Sequence, residues 1–471
     1  MSNTLPRILI SAAHKSSGKT TISLGLAAAL RDRGLSISPF KKGPDYIDPM
    51  WLQSAAGRPC YNLDFYTMSH EEILSTLIGN SQASELSLIE ANKGLYDGMD
   101  LNGRDCNAAL AKLTKSPVVL VIDTRGTSRG IVPLLLGYQS FDPEVNIAGV
   151  ILNQVGGQRH ESKLRTVVEH YTDIAVVGAV QRHPDLELTE RHLGLVPSNE
   201  AELAGNKITA IKARIAQQVD LDKIISIANS APPLAFTPLD KNTTAFDDND
   251  GPLKIGIFKD AAFGFYYADD LDNFHQLGAK LIHINALQDT TLPDVDALFI
   301  GGGFPETHLS ALHNNHALRQ AVHDAIENNL PVYAECGGLM YLCKNIQWHE
   351  KDYAMVGTIP ANAIMHTKPQ GRGYIQLQKN INHPWGQTKA DDKTTLAAHE
   401  FHYSSISKLP DDSRYAFNVK RGAGINGKYD GYVYKNLLAC YAHQRHTLAN
   451  PWIKDFIHFV KTKKTDQRSQ L

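Results

Sequence analysis

The chain has 471 residues, of which 42% are apolar and 20% are charged, so it is long enough for about two to four domains with substantial cores. Lysine and arginine number 47 against 49 aspartates and glutamates, and the net charge of -2 excludes a polybasic membrane anchor or a nucleic-acid coat. The five cysteines are widely spaced, which is typical of a reducing compartment rather than of a disulfide scaffold. No apolar run approaches the about 18 residues of a membrane span, and the N-terminus lacks the pattern of a signal peptide. We therefore expect a cytoplasmic, multidomain protein without nucleic-acid or membrane partners.

The first 230 residues alternate short β-rich runs with longer helical patterns. Several β-rich runs are continuously apolar, as expected for strands that are covered on both faces. The segment 20–33 carries apolar residues at helical spacing and ends at Gly34. This alternation predicts a parallel, doubly wound α/β sheet. The predicted strands span residues 7–11, 35–40, 86–90, 118–123, 147–152 and 174–180.

A change in composition separates this region from the rest of the chain. Residues 231–252 are rich in proline, asparagine, aspartate and threonine and have no apolar periodicity, which predicts a linker. We therefore expect an N-terminal domain over 1–230 and a second α/β domain over 253–471. The strands predicted in the second domain span residues 254–258, 297–300 and 332–335.

A phosphate-binding motif follows the first predicted strand. The segment 13–20 reads AHKSSGKT and matches the pattern G-x-x-x-x-G-K-[ST], except that Ala13 replaces the first glycine. In this pattern Gly18 allows close backbone approach, Lys19 meets the terminal phosphates and Thr20 holds magnesium. The helix that follows adds N–H groups and the positive end of its dipole. A turn without any ligand is the alternative, but the near-complete match favours ATP binding.

Carboxylates follow other strands of the N-terminal domain. The loop 41–49 reads KKGPDYIDP and places two lysines and two aspartates at the carboxyl end of a strand, where α/β proteins bind ligands. Glu90 ends another predicted strand, and a carboxylate at this place in a P-loop domain usually reaches the metal. Asp123 ends a third strand but is weaker evidence for a metal ligand, because such an aspartate often caps the next turn. The loop 41–49 taken alone is equally compatible with a solvated turn.

The C-terminal half contains a candidate nucleophile. Cys336 follows a predicted strand, precedes a helical stretch and is followed by two glycines, which is typical of a nucleophile elbow. The glycine run 301–303 follows another strand and is suited to donating N–H groups to an oxyanion. A cysteine nucleophile needs a histidine base, for which His399, His402 and His443 are candidates. A buried, inert cysteine is the alternative.

In this order the motifs resemble those of the cobyrinic acid a,c-diamide synthase family, which comprises ATP-dependent amidotransferases of cobalamin biosynthesis. The resemblance covers nearly the whole chain and depends on eight strings in order rather than on any one of them. It implies a dethiobiotin-synthetase-like P-loop domain joined to a class I glutamine amidotransferase domain. The strings are SGKTT at 17–21, KGPDYIDP at 42–49, GLYDG at 94–98, RHLGL at 191–195, AFGFYY at 262–267, GGGFPE at 301–306, ECGG at 335–338 and HEFHYS at 399–404.

The resemblance also implies roles for individual residues. Cys336 would be the glutaminase nucleophile, and His443 would be the histidine that activates it. Class I triads usually have a glutamate two residues after this histidine, but Arg445 stands there, as expected for a family that generally works with a Cys–His pair. The other implied residues are Ser16, Ser17, Gly18, Lys19, Thr20 and Thr21 for ATP, Thr20, Asp45 and Glu90 for the metal, Lys42, Tyr46, Asp48 and Asp97 for the substrate and acyl transfer, and Gly302, Gly303 and Gly337 for the oxyanion hole.

By this resemblance the protein is a glutamine-hydrolysing carbon–nitrogen ligase. It would amidate the a and c acetate carboxylates of cobyrinic acid through acyl phosphates, with ammonia released from L-glutamine. ATP would be a substrate and Mg²⁺ the cofactor, and a homodimer is one assembly that the resemblance allows.

Several alternatives stay open at this point. The same chemistry on hydrogenobyrinic acid or nickel sirohydrochlorin fits the motifs equally well. Cobyric acid synthase has the same two domain types, although the string KGPDYIDP favours the a,c enzyme. CTP synthase has the same domain order, but its glycine-rich loop variant is absent. A partitioning-type ATPase would leave Cys336 and His443 without a purpose, and a purely structural second domain would leave Cys336 merely buried.

Overall fold

The computed structural model describes residues 5–188, 190–191, 194–199, 204–234, 251–386 and 393–468. The chain divides into two units, Met1–Asp240 and Lys241–Leu471. Most of the predicted linker, residues 235–250, lies outside the described residues, as does part of the string at 191–195. The domain limits derived from composition therefore stay predictions.

A seven-stranded parallel sheet forms the centre of the first unit. Its strands are β1 (Arg7–Ala12), β2 (Ile37–Lys42), β3 (Tyr61–Leu63), β4 (Leu86–Glu90), β5 (Val118–Asp123), β6 (Ile147–Val155) and β7 (Ala175–Gln181), and a short antiparallel pair, β8 (Glu190–Arg191) and β9 (Gly194–Leu195), lies outside this sheet. The strand order is β3-β2-β4-β1-β5-β6-β7, and every neighbouring pair is parallel. The predicted doubly wound sheet is confirmed.

Helices cover both faces of this sheet. They are α1 (Lys19–Asp32), α2 (Ile47–Ala56), α3 (His70–Ser81), α4 (Asn107–Leu113), α5 (Ile131–Phe141), α6 (Gln158–Tyr171), α7 (Ala204–Gln218) and α8 (Leu221–Asn229). Successive strand residues point to opposite faces, so Ile8 and Ile10 pack in a core with α1, α2, α7 and α8, whereas Leu9 packs in a core with α3 to α6. This arrangement leaves the carboxyl ends of β1, β2 and β4 together at one edge.

A nine-stranded mixed sheet forms the centre of the second unit. Its strands are β10 (Leu253–Phe258), β12 (Ala279–Ile284), β13 (Ala297–Ile300), β15 (Val332–Glu335), β19 (Gly371–Lys379), β20 (Thr395–His402), β22 (Arg414–Arg421), β23 (Tyr429–Tyr434) and β24 (Leu437–Cys440). The order is β12-β10-β13-β15-β24-β23-β22-β19-β20. The first five strands in this order are parallel and the others are antiparallel, so the β15–β24 pair brings the end of β15 beside the end of β24.

Smaller elements surround this sheet. The helices are α9 (Ala268–Gln276), α10 (Leu309–Asn314), α11 (His316–Glu327), α12 (Gly337–Leu342) and α13 (Trp452–Arg468). A four-stranded sheet contains β16 (Cys343–Trp348), β17 (Lys351–Ala354), β18 (Ile359–Met365) and β21 (Ser404–Ile406), and a two-stranded one contains β11 (Phe263–Phe265) and β14 (Gly302–Gly303). None of the described helices is long and apolar enough to cross a membrane. All five cysteines are free thiols.

Candidate active sites

The turn between β1 and α1 is shaped by a glycine that tolerates no side chain. Gly18 has φ +87°, and a Cβ atom there would lie 2.1 Å from Nδ2 of Asn153. The same Nδ2 donates a hydrogen bond to the carbonyl of Ser17 at 2.8 Å, which fixes the turn against β6. Helix α1 begins directly afterwards, with neither a side-chain cap nor an acidic residue in its first turn. Its first N–H groups and its positive dipole end are therefore available to an anion.

Three carboxylates lie beside this turn. Glu90, at the end of β4, is fully buried, and its Oε1 accepts a hydrogen bond from the hydroxyl of Thr20 at 2.8 Å. The same hydroxyl lies 3.4 Å from Oδ2 of Asp48. Asp45 accepts the N–H groups of Ile47 and Asp48 at 3.0 and 3.1 Å and so begins α2. The carboxyl groups and the P-loop threonine thus face one another.

Lys41 occupies the centre of this carboxylate cluster, which we define as Asp45, Asp48 and Glu90. Its ammonium donates hydrogen bonds to Asp48 and, at 3.0 Å, to Glu90, and it lies 3.8 Å from Asp45. Burial alone would lower the pKa of Lys41, but the three carboxylates raise it well above its usual value. At Lys19 the carboxylates do not outweigh burial. Burial and, second, the charge of Lys41 lower the pKa of Lys19. The site therefore holds two lysines whose pKa values are shifted in opposite directions.

The structure brings only some of the other predicted residues to this cluster. Lys42 lies outside it and donates to the carbonyl of Asp105 at 2.7 Å. Asp97 accepts the N–H of Gly94 at 3.0 Å, and the hydroxyl of Thr21 donates to the carbonyl of Leu186 at 3.2 Å.

Three further predicted residues have other surroundings. Ser16 is exposed on the loop with φ +62°, and Tyr46 is buried at the start of α2. Asp123 is paired with Arg125 at 2.6 Å.

Lys41 is the residue that the sequence reasoning missed at this site. Adjacent residues of a strand point to opposite faces, so only one of Lys41 and Lys42 can face Glu90. The register pairs Lys41 with Glu90 across β2 and β4. A prediction of that register would have selected Lys41 from the lysine pair.

The donor set at the cluster fits a small hard cation. Oε2 of Glu90 is buried and accepts no hydrogen bond from any residue that the structure describes. Carboxylate and hydroxyl oxygens are the ligands that Mg²⁺ prefers, usually one or two carboxylates together with phosphate oxygens and water. Among the described residues no group of three His, Cys, Asp or Glu side chains is arranged around a metal ion, so the protein would supply only part of the ligand shell.

In the second unit, Cys336 lies in a strained turn between β15 and α12. Its backbone has φ +48° and ψ -102°, which a residue with a side chain rarely adopts. Its N–H donates to the carbonyl of Cys440 on the neighbouring strand at 2.7 Å. A Cβ atom on Gly338 would lie 2.2 Å from the carbonyl of Ile300, so the start of α12 requires glycine. This strand–turn–helix is the geometry of a nucleophile elbow.

His443 is the histidine that the structure places at Cys336. It is buried, its imidazole interacts with Cys336, and its Nδ1 lies 3.3 Å from Oε2 of Glu335. Burial alone would lower the pKa of His443, but the interactions with Cys336 and Glu335 raise it to about 10. A protonated imidazole beside a thiol stabilises the thiolate, which is the reactive form.

The other two candidate histidines have different surroundings. His399 pairs with His443 through the backbone, and their ring centroids lie 6.4 Å apart. Burial, followed by the charge of His443, lowers the pKa of His399 to about 3. His402 stacks on Tyr441 with ring centroids 3.7 Å apart, and its Nδ1 lies 2.7 Å from the carbonyl of Ser404. Geometry therefore favours His443 as the base.

The predicted oxyanion-hole glycines lie close to this pair. A Cβ on Gly302 would lie 2.5 Å from Cε1 of His443, and a Cβ on Gly337 would lie 3.0 Å from the backbone nitrogen of Gly303. The hydroxyl of Tyr266 accepts the N–H of Gly301 at 3.0 Å and so fixes the end of β13. The three predicted glycines are thus grouped around Cys336 and His443.

Comparisons with known proteins show the family of the chain and the types of its two domains. Residues 8–196 match the family model described as CobQ/CobB/MinD/ParA nucleotide binding domain, and residues 254–450 match the CobB/CobQ-like glutamine amidotransferase domain. A protein of Magnetococcus marinus named cobyrinate a,c-diamide synthase is 41% identical over 461 residues, which cover 98% of each chain. The chain belongs to the cobyrinate a,c-diamide synthase family. Relatives with that name from Archaeoglobus fulgidus (39% identical, 98% of this chain and 96% of the relative) and Methanosarcina acetivorans (38%, 93% and 92%) agree.

Membership of the cobyrinate a,c-diamide synthase family confirms the resemblance drawn from the eight strings. It also confirms the predicted fold class, because the two matched regions are a nucleotide-binding domain and a glutamine amidotransferase domain in the predicted order.

We predict that Asp45→Asn makes the unliganded protein less sensitive to rising pH. Burial and the charge of Asp48 raise the pKa of Asp45 to about 7, above its value in an unfolded chain. A carboxyl whose pKa is higher in the folded state stabilises the fold fully at a pH below its pKa in the unfolded chain. This stabilisation is lost as the pH rises through its pKa in the folded state. The neutral amide avoids this loss and keeps an oxygen for the N–H groups of Ile47 and Asp48.

Thermal unfolding at about pH 5 and about pH 8 checks this prediction. The free energy of unfolding of the variant should exceed that of the parent by on the order of 1 kcal/mol at the higher pH. This figure is reduced for solvent screening because 34% of the Asp45 side chain is exposed. Asp173→Asn on the exposed surface is the matched control and should show no such gain. An identical pH response of parent and Asp45→Asn would contradict the assignment.

Proposed function

We propose that the chain catalyses the ATP- and glutamine-dependent amidation of the a and c acetate carboxylates of cobyrinic acid in cobalamin biosynthesis. The observation that carries this proposal is the presence, in one chain, of a P-loop faced by a buried glutamate and of a Cys–His pair in a nucleophile elbow. Three relatives at 38 to 41% identity are named for this reaction. Family membership supports its class, a glutamine-hydrolysing carbon–nitrogen ligase.

In the second unit, Cys336 releases ammonia from glutamine. The thiolate attacks the side-chain amide carbon, and backbone N–H groups near Gly303 and Gly337 stabilise the oxyanion. His443 gives its proton to the departing nitrogen, so ammonia leaves and a glutamyl thioester remains. Water then attacks the thioester, which yields glutamate and returns the proton and the free thiol.

In the first unit, ATP activates the substrate carboxylate. A carboxylate oxygen attacks the γ-phosphorus, the bond to the β-phosphate oxygen breaks, and ADP and an acyl phosphate are formed. Lys19 and the N–H groups at the start of α1 offset the charge on the transferring phosphoryl group. Ammonia attacks the acyl carbon, phosphate leaves, and an amide results.

Thr20, Asp45 and Glu90 are the residues that would hold Mg²⁺ with the nucleotide, and phosphate oxygens and water would complete its ligand shell. The cation would offset charge on the β- and γ-phosphate oxygens. Lys41 would contribute its ammonium to the same phosphates once they enter the cluster. A cytoplasmic location stays a prediction from the composition, and a homodimer stays an assembly that the family resemblance allows.

We predict that the protein forms a monoamide and then a diamide of cobyrinic acid. Incubation with ATP, Mg²⁺, glutamine and cobyrinic acid, followed by chromatography and mass spectrometry, detects both products. Parallel reactions with hydrogenobyrinic acid, nickel sirohydrochlorin and cobyrinic acid a,c-diamide test the related substrates, the last for a cobyric acid synthase-like activity. Amidation of one of these three compounds instead of cobyrinic acid would assign the protein a different substrate. If none of the four compounds is amidated, the proposal is refuted.

Cys336→Ala should abolish synthesis driven by glutamine but not synthesis driven by added ammonia. Without the thiol no thioester forms, so the glutamine-driven rate should fall by about 10³-fold or more, while the ammonia-driven rate stays within about twofold. Cys343→Ala removes another buried thiol and should keep both activities. Equal loss with both nitrogen donors would mean that Cys336 is structural.

Lys19→Ala should lose synthesis with either nitrogen donor. Its ammonium offsets charge on the transferred phosphoryl group, so we expect a loss of about 10²- to 10³-fold in kcat with glutamine and with ammonia alike. Glutamine hydrolysis measured alone should be retained. Lys163→Ala, an exposed lysine on α6, is the control, and synthesis by Lys19→Ala at the control rate would refute the ATP-site assignment.

A further inference from the structure

A buried glutamate directly precedes the nucleophile. Glu335 is 3% exposed, and its Oε2 lies 3.3 Å from Nδ1 of His443. No sequence motif assigns it a role, because the glutamate of class I triads is expected two residues after the histidine. A buried carboxylate is costly unless it is paired and hydrogen-bonded, so its position beside an imidazole calls for an explanation.

A network of hydrogen bonds fixes the orientation of this carboxylate. Oε1 of Glu335 accepts the hydroxyl of Tyr333 at 2.6 Å and the N–H of Gln444 at 2.8 Å. The side-chain amide of Gln444 donates to the Tyr333 hydroxyl at 2.9 Å and accepts from Asn450 at 3.2 Å. Tyr333, Gln444 and Asn450 are all buried. Because Oε1 is engaged on two sides, Oε2 is the oxygen that faces the imidazole.

The backbone explains why this glutamate reaches the histidine. Tyr333 and Glu335 are two residues apart on β15 and so project from the same face of the sheet. Glu335 is paired in register with Cys440 on β24, and His443 and Gln444 follow that strand directly. The strained turn at Cys336 then directs the thiol toward the same histidine.

Arg445 stands where class I triads usually have their glutamate, and its charge is of the opposite sign. Its guanidinium pairs with Asp269 at 2.6 Å and lies over the ring of Tyr267, 4.9 Å from the ring centroid. Arg445 is therefore engaged with α9 and the residue before it, and it cannot orient a protonated imidazole as a carboxylate does.

We propose that Glu335 is the positioning residue of the glutaminase site, held by Tyr333 and Gln444 so that it keeps a proton on Nδ1 of His443. Nε2 then takes the proton from the Cys336 thiol and later passes it to the departing ammonia. Glu335 itself neither gains nor loses a proton and acts through His443. The proposal rests on the proposed function only in taking Cys336 as the nucleophile, and its test uses glutamine hydrolysis and thiol alkylation, which need no tetrapyrrole.

Glu335→Gln in the full chain tests this role. The amide keeps an oxygen for Tyr333 and Gln444 but presents an N–H to Nδ1, which favours the tautomer whose Nε2 cannot accept the thiol proton. We expect kcat for glutamine hydrolysis to fall by about 10²- to 10⁴-fold, with ammonia-driven synthesis within about twofold of the parent. Glu335→Asp should recover part of the loss.

The pH profile of Cys336 alkylation separates positioning from a merely structural role. Iodoacetamide should modify the parent at about pH 6, where an imidazolium supports the thiolate, and Glu335→Gln only at a pH nearer the range of a free thiol. Cys336→Ala gives the background from the other thiols. Glu327→Gln, a glutamate paired with Lys435 on the surface, should match the parent in both assays.

Hydrolysis within twofold of the parent together with an unchanged alkylation profile would overturn the proposal. Should Glu335→Gln fail to fold, Tyr333→Phe carries the same test, because it removes one hydrogen bond from Oε1. A displaced alkylation profile in that variant supports the role of the network, and an unchanged profile overturns it. Loss of tetrapyrrole amidation with normal glutamine hydrolysis would instead count against the proposed function alone.

Discussion

Both candidate sites depend on backbone that approaches its neighbours more closely than a Cβ atom would allow. At Gly18 the obstacle is Asn153, at Gly302 it is His443, and at Gly338 it is the carbonyl of Ile300. Each contact lies where a parallel strand ends and a helix or a short strand begins. The positions of Lys19 and Cys336 therefore follow from close packing of the glycine backbone against these three neighbours.

Each site buries charged side chains that are stable only as ion pairs. Lys41 is 2% exposed and Glu90 fully buried in the first unit, and Glu335 and His443 are each 3% exposed in the second. Removing one partner of a buried ion pair typically costs about 3–5 kcal/mol because the other charge is left unpaired. The sites are thus part of the cores that they adjoin, and removing one member of the Lys41–Glu90 or Glu335–His443 pair alone should cost stability.

Sequence patterns predicted the first unit better than the second. The apolar strands at 86–90 and 118–123 have the predicted limits, because continuous apolar runs between turn signals are distinctive. Strand β3 was missed since it has only three residues. The strands β16 to β23 were not predicted, because many of them alternate in burial and have polar residues within them.

At the sites, motifs identified the turns but not which side chains meet there. The choice of Lys41 over Lys42 depends on strand register, and the meeting of His443 with Cys336 depends on the pairing of β15 with β24. Glu335 was adjacent to the predicted nucleophile, yet no pattern connects it to a histidine more than 100 residues away. Those contacts are tertiary, and local sequence does not encode them.

The strained turn at Cys336 makes this thiol chemically distinct from the four others. Burial raises the pKa of Cys60, Cys343 and Cys440, and Cys106 is buried at the start of α4, where its sulfur accepts the N–H of Ala109. Cys336 is thus the one sulfur of the five that lies in a strained turn beside a histidine. A glutamine analogue bearing a single electrophilic carbon would therefore count functional molecules in a preparation, one label for each correctly folded chain.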